Sequence, residues 1–224
     1  MRTGKRKNIL DLTKPMESLF VPFSNGRYRD PPLEISQWST IQNEGFRVSR
    51  LSMGTQSGTH IDAPSHFLDD GACLEALSPD EFIGTYFLLK LKGKVTLADI
   101  TGLLKPYKGE SILFLKTPLN QCAEISLEAL QKILSLPPVL LALSGEVTLE
   151  NSDPFTFYRI IAKAQKFIVE DLDQEKTDDL PDTGELFVFP LRLIGVAGSP
   201  CRVLARIAEV TKPGKKLKKN NGSK

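Results

Sequence analysis

Short apolar segments of strand length alternate with segments of helical spacing along most of this 224-residue chain. The longest apolar run, at residues 139–143, is far shorter than the roughly 18 residues that a membrane-spanning helix requires. Strands that alternate with helices fold into a sheet that the helices cover. The sequence therefore predicts a single α/β domain with a mixed β-sheet and packed helices, and no segment that crosses a membrane.

The individual elements follow from apolar periodicity and from capping residues. Residues 46–53 alternate apolar and polar side chains, which predicts a half-buried strand. Helices are predicted to begin at Ser78, Ser126 and Asp153, and Glu81 completes a capping box with Ser78. Residues 15–32 contain Pro, Asn and Gly and predict a loop. The other predicted strands are 9–12, 86–91, 112–115, 139–143, 167–169, 186–190 and 203–207.

The formal net charge of +2 conceals basic ends and an acidic body. Residues 1–8 carry four basic residues, residues 211–224 carry six, and neither segment contains an acidic residue. The other 19 basic residues face 27 acidic ones, so the body has a net charge of −8. An acidic body without interleaved aromatic residues argues against nucleic-acid binding, so we expect none. We divide the chain into a basic tail at 1–8, a domain at 9–210 and a basic, disordered tail at 211–224.

The three cysteines, Cys73, Cys122 and Cys201, lie far apart in the sequence and are odd in number. This pattern favours free thiols in a reducing compartment over a disulfide framework or a zinc ribbon. The basic N-terminal segment also lacks the apolar stretch of a secretory signal. We therefore expect a cytoplasmic protein.

The segment with the most chemistry is Gly-Thr-His-Ile-Asp-Ala-Pro-Ser-His at residues 58–66. On an extended backbone, His60 and Asp62 leave from the same face, and an imidazole beside a carboxylate is a typical pair of metal ligands. Pro64 turns the chain and can bring His66 back toward the same place. A His-x-Asp pair taken alone is more often a strand end whose side chains form local hydrogen bonds than a metal site.

The whole string Gly-Thr-His-x-Asp-Ala-Pro-x-His resembles the signature of the cyclase-like metal-dependent hydrolases, a family that includes bacterial kynurenine formamidase and isatin hydrolase. The resemblance continues at Asp11-Leu12, at residues 158–172, and at residues 190–195 and 198–205. It therefore covers roughly residues 9–208. The resemblance implies a swivelling β/β/α fold that assembles as a homodimer or homotetramer.

Carried over residue by residue, the resemblance assigns His60, Asp62 and Glu170 to metal-ligand positions and His66 to the catalytic histidine. It implies that a zinc or manganese ion polarises an amide carbonyl and activates water. The implied function is hydrolysis of an amide C–N bond in a small molecule, of the arylformamidase type that leads from tryptophan to kynurenine.

Two positions depart from the family pattern. The motif is preceded by Gln56, four residues before His60, where the family has a histidine. Tyr158, twelve residues before Glu170, also stands where the family has a histidine. The side-chain oxygen of Gln56 can supply a fourth ligand, whereas a phenol with a pKa near 10 is a poor ligand at neutral pH. We therefore expect at most one divalent ion per chain, zinc or manganese. The same two replacements leave an alternative function open, in which the protein is a non-catalytic family member that binds a ligand or takes part in the assembly of a complex.

Aromatic residues before the motif are candidates for substrate contacts. Trp38 and Phe46 can form a wall for a planar substrate, and Tyr158 is a third candidate because it replaces a residue of the site. Packing in the core or in a dimer explains Trp38 and Phe46 equally well. Glu146 follows the strand at 139–143, near where the family keeps acidic and serine residues by its site.

Overall fold

The computed structural model describes residues 8–17 and 20–207 of the chain. The predicted basic tails at 1–8 and 211–224 therefore lie, except for Asn8, outside the described residues. The strands are β1 (Ile9–Asp11), β2 (Glu34–Ser39), β3 (Val48–Ser52), β4 (His60–Asp62), β5 (Ile83–Lys90), β6 (Gly93–Val95), β7 (Ile112–Lys116), β8 (Cys122–Ile125), β9 (Leu140–Ser144), β10 (Glu146–Leu149), β11 (Phe167–Glu170), β12 (Thr183–Pro190) and β13 (Gly198–Arg206). The α-helices are α1 (Ile41–Glu44), α2 (Leu97–Leu103), α3 (Leu127–Leu134), α4 (Thr156–Lys163) and α5 (Gln174–Thr177).

The main sheet has eight strands in the order β1-β13-β12-β5-β7-β9-β11-β4. Its centre, β5-β7-β9-β11, is parallel, and the remaining pairs are antiparallel. Strand β4 also pairs with the start of β13, so that the sheet closes on itself. The predicted single α/β domain with a mixed sheet is confirmed, whereas its closure was not predicted.

Two hydrophobic cores lie on opposite faces of this closed sheet. In β9, Leu140 and Ala142 belong to the core inside the ring, and Leu141 and Leu143 belong to the core outside it. The parallel strands are therefore buried on both faces, which explains why they read as continuous apolar runs rather than as alternating patterns.

Helices and a second sheet cover the outer core. The three-stranded parallel sheet β10-β8-β6 packs there together with α2, α3 and α4. Helix α3 begins where predicted, because the Ser126 hydroxyl accepts a hydrogen bond from the Ala129 amide. The helix predicted to begin at Ser78 has its capping box, but it is a single 3₁₀ turn because β5 begins at Ile83.

The strand predicted at 46–53 is present as β3, but its half-burial was wrong. All five residues of β3 are exposed, and its partner β2 buries only its last residue, Ser39. These two strands form a separate antiparallel sheet that presents apolar side chains to solvent. The exposed apolar residues of β2, β3 and the segment between them are Ile35, Trp38, Ile41, Phe46, Val48 and Leu51.

Two further expectations concern the thiols and the membrane. Cys73, Cys122 and Cys201 are free, as predicted. Among the helices of the described residues, none combines the length and the apolar character needed to cross a bilayer.

The two-sided burial of the parallel strands gives a stability prediction. Leu141 is 1% exposed, between Leu113 of β7 and Ile168 of β11. We expect Leu141→Ala to lower the free energy of unfolding by about 2–5 kcal/mol, because it removes buried methyl groups and leaves a cavity. Chemical denaturation measures this loss. The control Leu97→Ala truncates a leucine that is 44% exposed and should change stability by no more than about 0.5 kcal/mol.

Candidate metal centre

The candidate site is built by the register of β4, which pairs with β11 on one side and β13 on the other. Glu170 of β11 lies directly opposite His60, and Gly198 of β13 lies opposite Asp62. Directly opposed residues of an antiparallel pair project from the same face, as do residues two apart on one strand. The side chains of His60, Asp62 and Glu170 therefore project together from the outer face of the closed sheet.

Three ligand atoms converge there. The Nε2 atom of His60 lies 3.3 Å from Oε1 of Glu170 and 3.6 Å from Oδ1 of Asp62. One ligand atom from each residue lies within 4.8 Å of the other two, a spacing that can hold one metal ion. The structure thus brings together the three residues that the sequence placed at metal-ligand positions, one from β11 and two from β4.

The other ring nitrogen of His60 fixes the orientation of the imidazole. Its Nδ1 atom donates a hydrogen bond to the carbonyl oxygen of Gly58 at 2.7 Å, which leaves Nε2 directed at the carboxylates. Gly58 has a φ of +64°, a left-handed conformation that disfavours residues with a side chain. The glycine of the motif therefore presents the carbonyl oxygen that orients His60.

The electrostatics of the cluster fit a cation. Burial by itself lowers the pKa of His60, but the charge of Asp62, with hydrogen bonds and charge from Glu170, outweighs it and raises the pKa well above its ordinary value. The Oδ1 atom of Asp62 is buried and has no hydrogen-bond partner among the described residues. Two carboxylates that favour a proton on Nε2 also favour a divalent cation in its place, so these residues fit a metal ion.

Gln56 lies beside Asp62. Its Oε1 atom accepts a hydrogen bond from the Thr55 hydroxyl at 2.6 Å, whereas its Nε2 atom is buried without a partner among the described residues. A Cβ atom on Gly198 would lie 2.6 Å from that nitrogen and 3.1 Å from Oδ1 of Asp62. The absence of a side chain at Gly198 therefore leaves the space that Gln56 and Asp62 share. In this conformation the amide oxygen of Gln56 is engaged by Thr55.

Tyr158 of α4 lines the same pocket as the three residues of the cluster. Burial raises the pKa of its hydroxyl, and the charge of Glu170 and a hydrogen bond to it raise the pKa further. The phenol therefore stays protonated at neutral pH. The thiol of Cys201 is also protonated, because burial raises its pKa to about 12. Both groups are therefore uncharged at neutral pH when no ion is bound.

The cluster opens into a pocket of about 1070 Å³ that also holds Gln56, His66 and Tyr158. His66 lies in the 3₁₀ turn Pro64–His66, is exposed, and packs edge-on against Phe67 with the ring centroids 4.5 Å apart. The ring of Phe67 in turn stacks on Tyr158 at 5.5 Å, with 14° between the planes. The rings of Phe67 and Tyr158 therefore form an aromatic wall of the pocket beside His66.

The other two candidate substrate residues lie elsewhere. Trp38 and Phe46 belong to the exposed sheet β2–β3 and its connection, and neither is among the described residues that line this pocket. In their place the pocket is lined by Phe23, Phe67 and Phe155. Only the position of Phe67 directly after the motif could have indicated this from the sequence.

Sequence reasoning also missed the support of the motif threonine. The hydroxyl of Thr59 donates to the carbonyl oxygen of Asp171 at 2.7 Å and accepts from the amide of Lys14 at 3.0 Å. The side chains of Lys14 and Asp171 then form an ion pair at the rim of the pocket. Because these three residues are far apart in sequence, no local pattern joins them.

The closed mixed sheet with a His, Asp and Glu cluster on its outer face defines a particular class of protein. Residues 10–135 match the family described as "Putative cyclase", which is more than half of the chain. The chain belongs to this cyclase family, as the sequence motifs predicted.

Particular relatives agree with this assignment. The chain is 24% identical over 178 residues to a kynurenine formamidase of Erythrobacter litoralis, covering 75% of this chain and 81% of the relative. It is 25% identical over 211 residues to a kynurenine formamidase of Bacillus cereus, covering 90% and 99%. Its fold resembles that of isatin hydrolase A from Labrenzia aggregata bound to benzyl benzoate, with a TM-score of 0.73, 19% identity, and coverage of 90% and 94%.

The two departures from the family pattern give a binding prediction. We expect Gln56→His combined with Tyr158→His to tighten Zn²⁺ binding by an order of magnitude or more, because two imidazole nitrogens join the cluster. Changes to outer partners of metal ligands already alter affinity by about 10–100-fold. Isothermal titration with Zn²⁺ measures the change. The variant Gln131→His, which places a histidine on the exposed face of α3, should bind as the wild type does, and equal affinities for all three proteins would contradict the prediction.

Proposed function

We propose that this protein is a metal-dependent hydrolase that cleaves the C–N bond of an aryl formamide or a related amide. The observation that carries the proposal is the cluster of His60, Asp62 and Glu170 at the wall of the pocket that His66 also lines. The names of the relatives, kynurenine formamidase and isatin hydrolase, support the same reaction class.

One divalent ion, Zn²⁺ or Mn²⁺, is the cofactor in this proposal, with His60, Asp62 and Glu170 as ligands and Gln56 as a fourth. When bound, such an ion polarises an amide carbonyl and makes water more acidic. Two carboxylates and one imidazole form an oxygen-rich set, which suits Mn²⁺ better than a set of histidines does. Rotation of the Gln56 amide about its terminal bond would turn its oxygen from Thr55 toward Asp62.

The residues around the cluster divide the remaining tasks. An imidazole can accept and release a proton near neutral pH, so His66 can deliver a proton to the departing nitrogen. Tyr158 stays protonated beside Glu170 in the same pocket and adds no charge to the metal centre. The rings of Phe67 and Tyr158 offer a flat apolar surface on which an aryl group of the substrate can lie.

We also propose that the protein is a homo-oligomer and that the exposed sheet β2–β3 is its interface. A two-stranded sheet alone is only marginally stable in water. This sheet and the segment between its strands nevertheless carry several large apolar side chains in solvent, among them Trp38, 72% exposed, and Phe46, 60% exposed. A second copy of the chain would cover these side chains.

We further propose that the protein resides in the cytoplasm, because its three free thiols are typical of a reducing compartment.

The catalytic proposal is tested on purified protein loaded with Zn²⁺ or Mn²⁺. We expect about one ion per chain by elemental analysis, and hydrolysis of formanilide. Asp62→Asn should lose both the ion and the activity, since it removes a ligand. His66→Asn should keep the ion while kcat falls roughly 10²–10⁴-fold, the usual contribution of a positioned proton donor.

The variant Asp70→Asn is the control, because Asp70 is exposed in the loop after the motif. It should change neither metal content nor rate. A protein that holds the ion at His60, Asp62 and Glu170 but hydrolyses no amide would instead be the non-catalytic family member. A protein that binds no divalent ion would exclude the metal-dependent mechanism.

The interface is tested by adding a charge to the exposed sheet. We expect Trp38→Glu to convert the oligomer to a monomer in sedimentation velocity, because a carboxylate cannot be buried without a partner. The control Leu127→Glu places the same charge on α3, at a leucine that is 42% exposed, and should leave the oligomer intact. A wild-type chain that sediments as a monomer at all concentrations would contradict the proposal.

A further inference from the structure

The ladder between β4 and β11 ends at the pair of residues that carries two of the metal-ligand positions. It has three pairs, and the last of them joins His60 to Glu170. The end of a short ladder opens more readily than its middle, because no further pair supports it on one side. Ligand atoms, however, must lie within about 0.2 Å of their bonding distance from a metal ion. An interaction beyond the ladder is therefore needed to keep Glu170 opposite His60.

Asp171 follows Glu170 directly and turns the chain. Its φ is +57°, in the left-handed region that residues with a side chain rarely adopt. The chain leaves β4 at this point and joins the segment that follows β1, where Leu172 forms an antiparallel bridge with Thr13. A backbone conformation of this kind persists only when its surroundings hold it. The turn at Asp171 therefore determines how β11 ends, and with it the place of Glu170.

The hydroxyl of Thr59 holds this turn. The register of β4 and β11 places Thr59 where a fourth pair would stand, opposite Asp171. There the hydroxyl of Thr59 donates to the carbonyl oxygen of Asp171 at 2.7 Å, so that a side chain continues the ladder. The same hydroxyl oxygen accepts from the amide of Lys14 at 3.0 Å, and the amine of Lys14 pairs with the carboxylate of Asp171. The three residues thus form a closed ring of contacts around the turn.

Thr59 acts on the site from outside the pocket. Its backbone carbonyl accepts a hydrogen bond from the amide of Cys201 in β13 at 2.9 Å, so Thr59 is anchored to both neighbours of β4. It is 2% exposed and is not among the described residues that line the pocket. Any effect of its hydroxyl on a bound ion must therefore pass through the adjacent ligand positions, His60 and Glu170.

We propose that the hydroxyl of Thr59 and the left-handed turn at Asp171 are positioning elements of the metal centre, which hold the carboxylate of Glu170 opposite His60. The proposal rests on the proposed metal centre and adds what sets its geometry. The backbone conformation of Asp171 is the required feature, whereas its ion pair with Lys14 lies at the exposed rim, where such pairs contribute little. Neither Thr59 nor Asp171 is a ligand or takes part in bond cleavage.

Calorimetric titration with Zn²⁺, after the chain has been treated with a chelator, tests the role of the hydroxyl. Thr59→Val keeps the shape of the side chain but removes the hydroxyl, so it should weaken Zn²⁺ binding by about tenfold or more, as changes to partners of metal ligands do. Thr59→Ser keeps the hydroxyl and should bind as the wild type does. The matched control is Thr177→Val, which removes another fully buried hydroxyl, 2.7 Å from the hydroxyl of Ser144 in β9, and should retain the affinity.

Two substitutions of Asp171 separate the turn from the ion pair. Asp171→Gly removes the charge but adopts a positive φ freely, so it should retain the affinity for Zn²⁺. Asp171→Val also removes the charge, but a β-branched residue strongly disfavours a positive φ, so it should weaken binding about as much as Thr59→Val does. Equal losses in Asp171→Gly and Asp171→Val would assign the effect to the ion pair and overturn the role of the turn.

Hydrogen exchange of the metal-free chain, followed by mass spectrometry, gives a readout that needs no ion. The amides of residues 167–171 should exchange about tenfold faster in Thr59→Val and Asp171→Val than in the wild type, because the end of the ladder opens. Thr59→Ser and Thr177→Val should exchange there as the wild type does. This result supports the positioning role even if the wild type binds no Zn²⁺, in which case only the metal centre fails.

Three outcomes would overturn the positioning role. The first is exchange at residues 167–171 that neither Thr59→Val nor Asp171→Val changes. The second is a wild type that binds Zn²⁺ with an affinity that both of these variants retain. The third is a loss of affinity in Thr177→Val as large as that in Thr59→Val, because the effect would then be general destabilisation.

Discussion

The pairing of the three-residue strand β4 on both of its edges is the constraint on which the rest of the structure depends. By bridging β11 and β13, it closes the main sheet and gives the protein an interior core and an exterior one. Because successive residues of a strand alternate between faces, Ile61 enters the inner core while His60 and Asp62 project outward. The strand that completes the fold therefore also carries most of the metal centre.

Burying this cluster has an electrostatic cost that other parts of the molecule offset. His60 and Asp62 are 6% and 3% exposed, and a buried carboxylate without a partner is strongly unfavourable. A proton on His60 or a divalent cation between the three side chains supplies the missing positive charge. The hydrogen bond from Nδ1 of His60 to Gly58 holds the imidazole in place in either case. The orientation of the His60 ring is therefore defined before any ion binds.

Much of the fold could be predicted from the sequence, and the omissions have physical reasons. Seven of the eight strands of the main sheet were predicted, because apolar runs are local signals, whereas the short strand β4 was not among the predicted strands. The small sheet β10-β8-β6 and helix α2 were missed because their short segments, such as Gly93–Val95, acquire their conformation from their neighbours. The burial of β3 was predicted wrongly because an alternating pattern shows that one face is apolar, but not whether the same chain covers it.

The sequence by itself determined the family, the shared face of His60 and Asp62, and the two missing histidines at Gln56 and Tyr158, because these depend on residue identity and on spacing along one segment. Only the tertiary structure decided that Glu170 lies 3.3 Å from His60, because that distance depends on the register between β4 and β11. Trp38 and Phe46 are not among the described residues that line the pocket, which also depends on the tertiary structure. Local patterns encode local geometry, whereas a site assembled from strands and loops far apart in sequence exists only once they have paired.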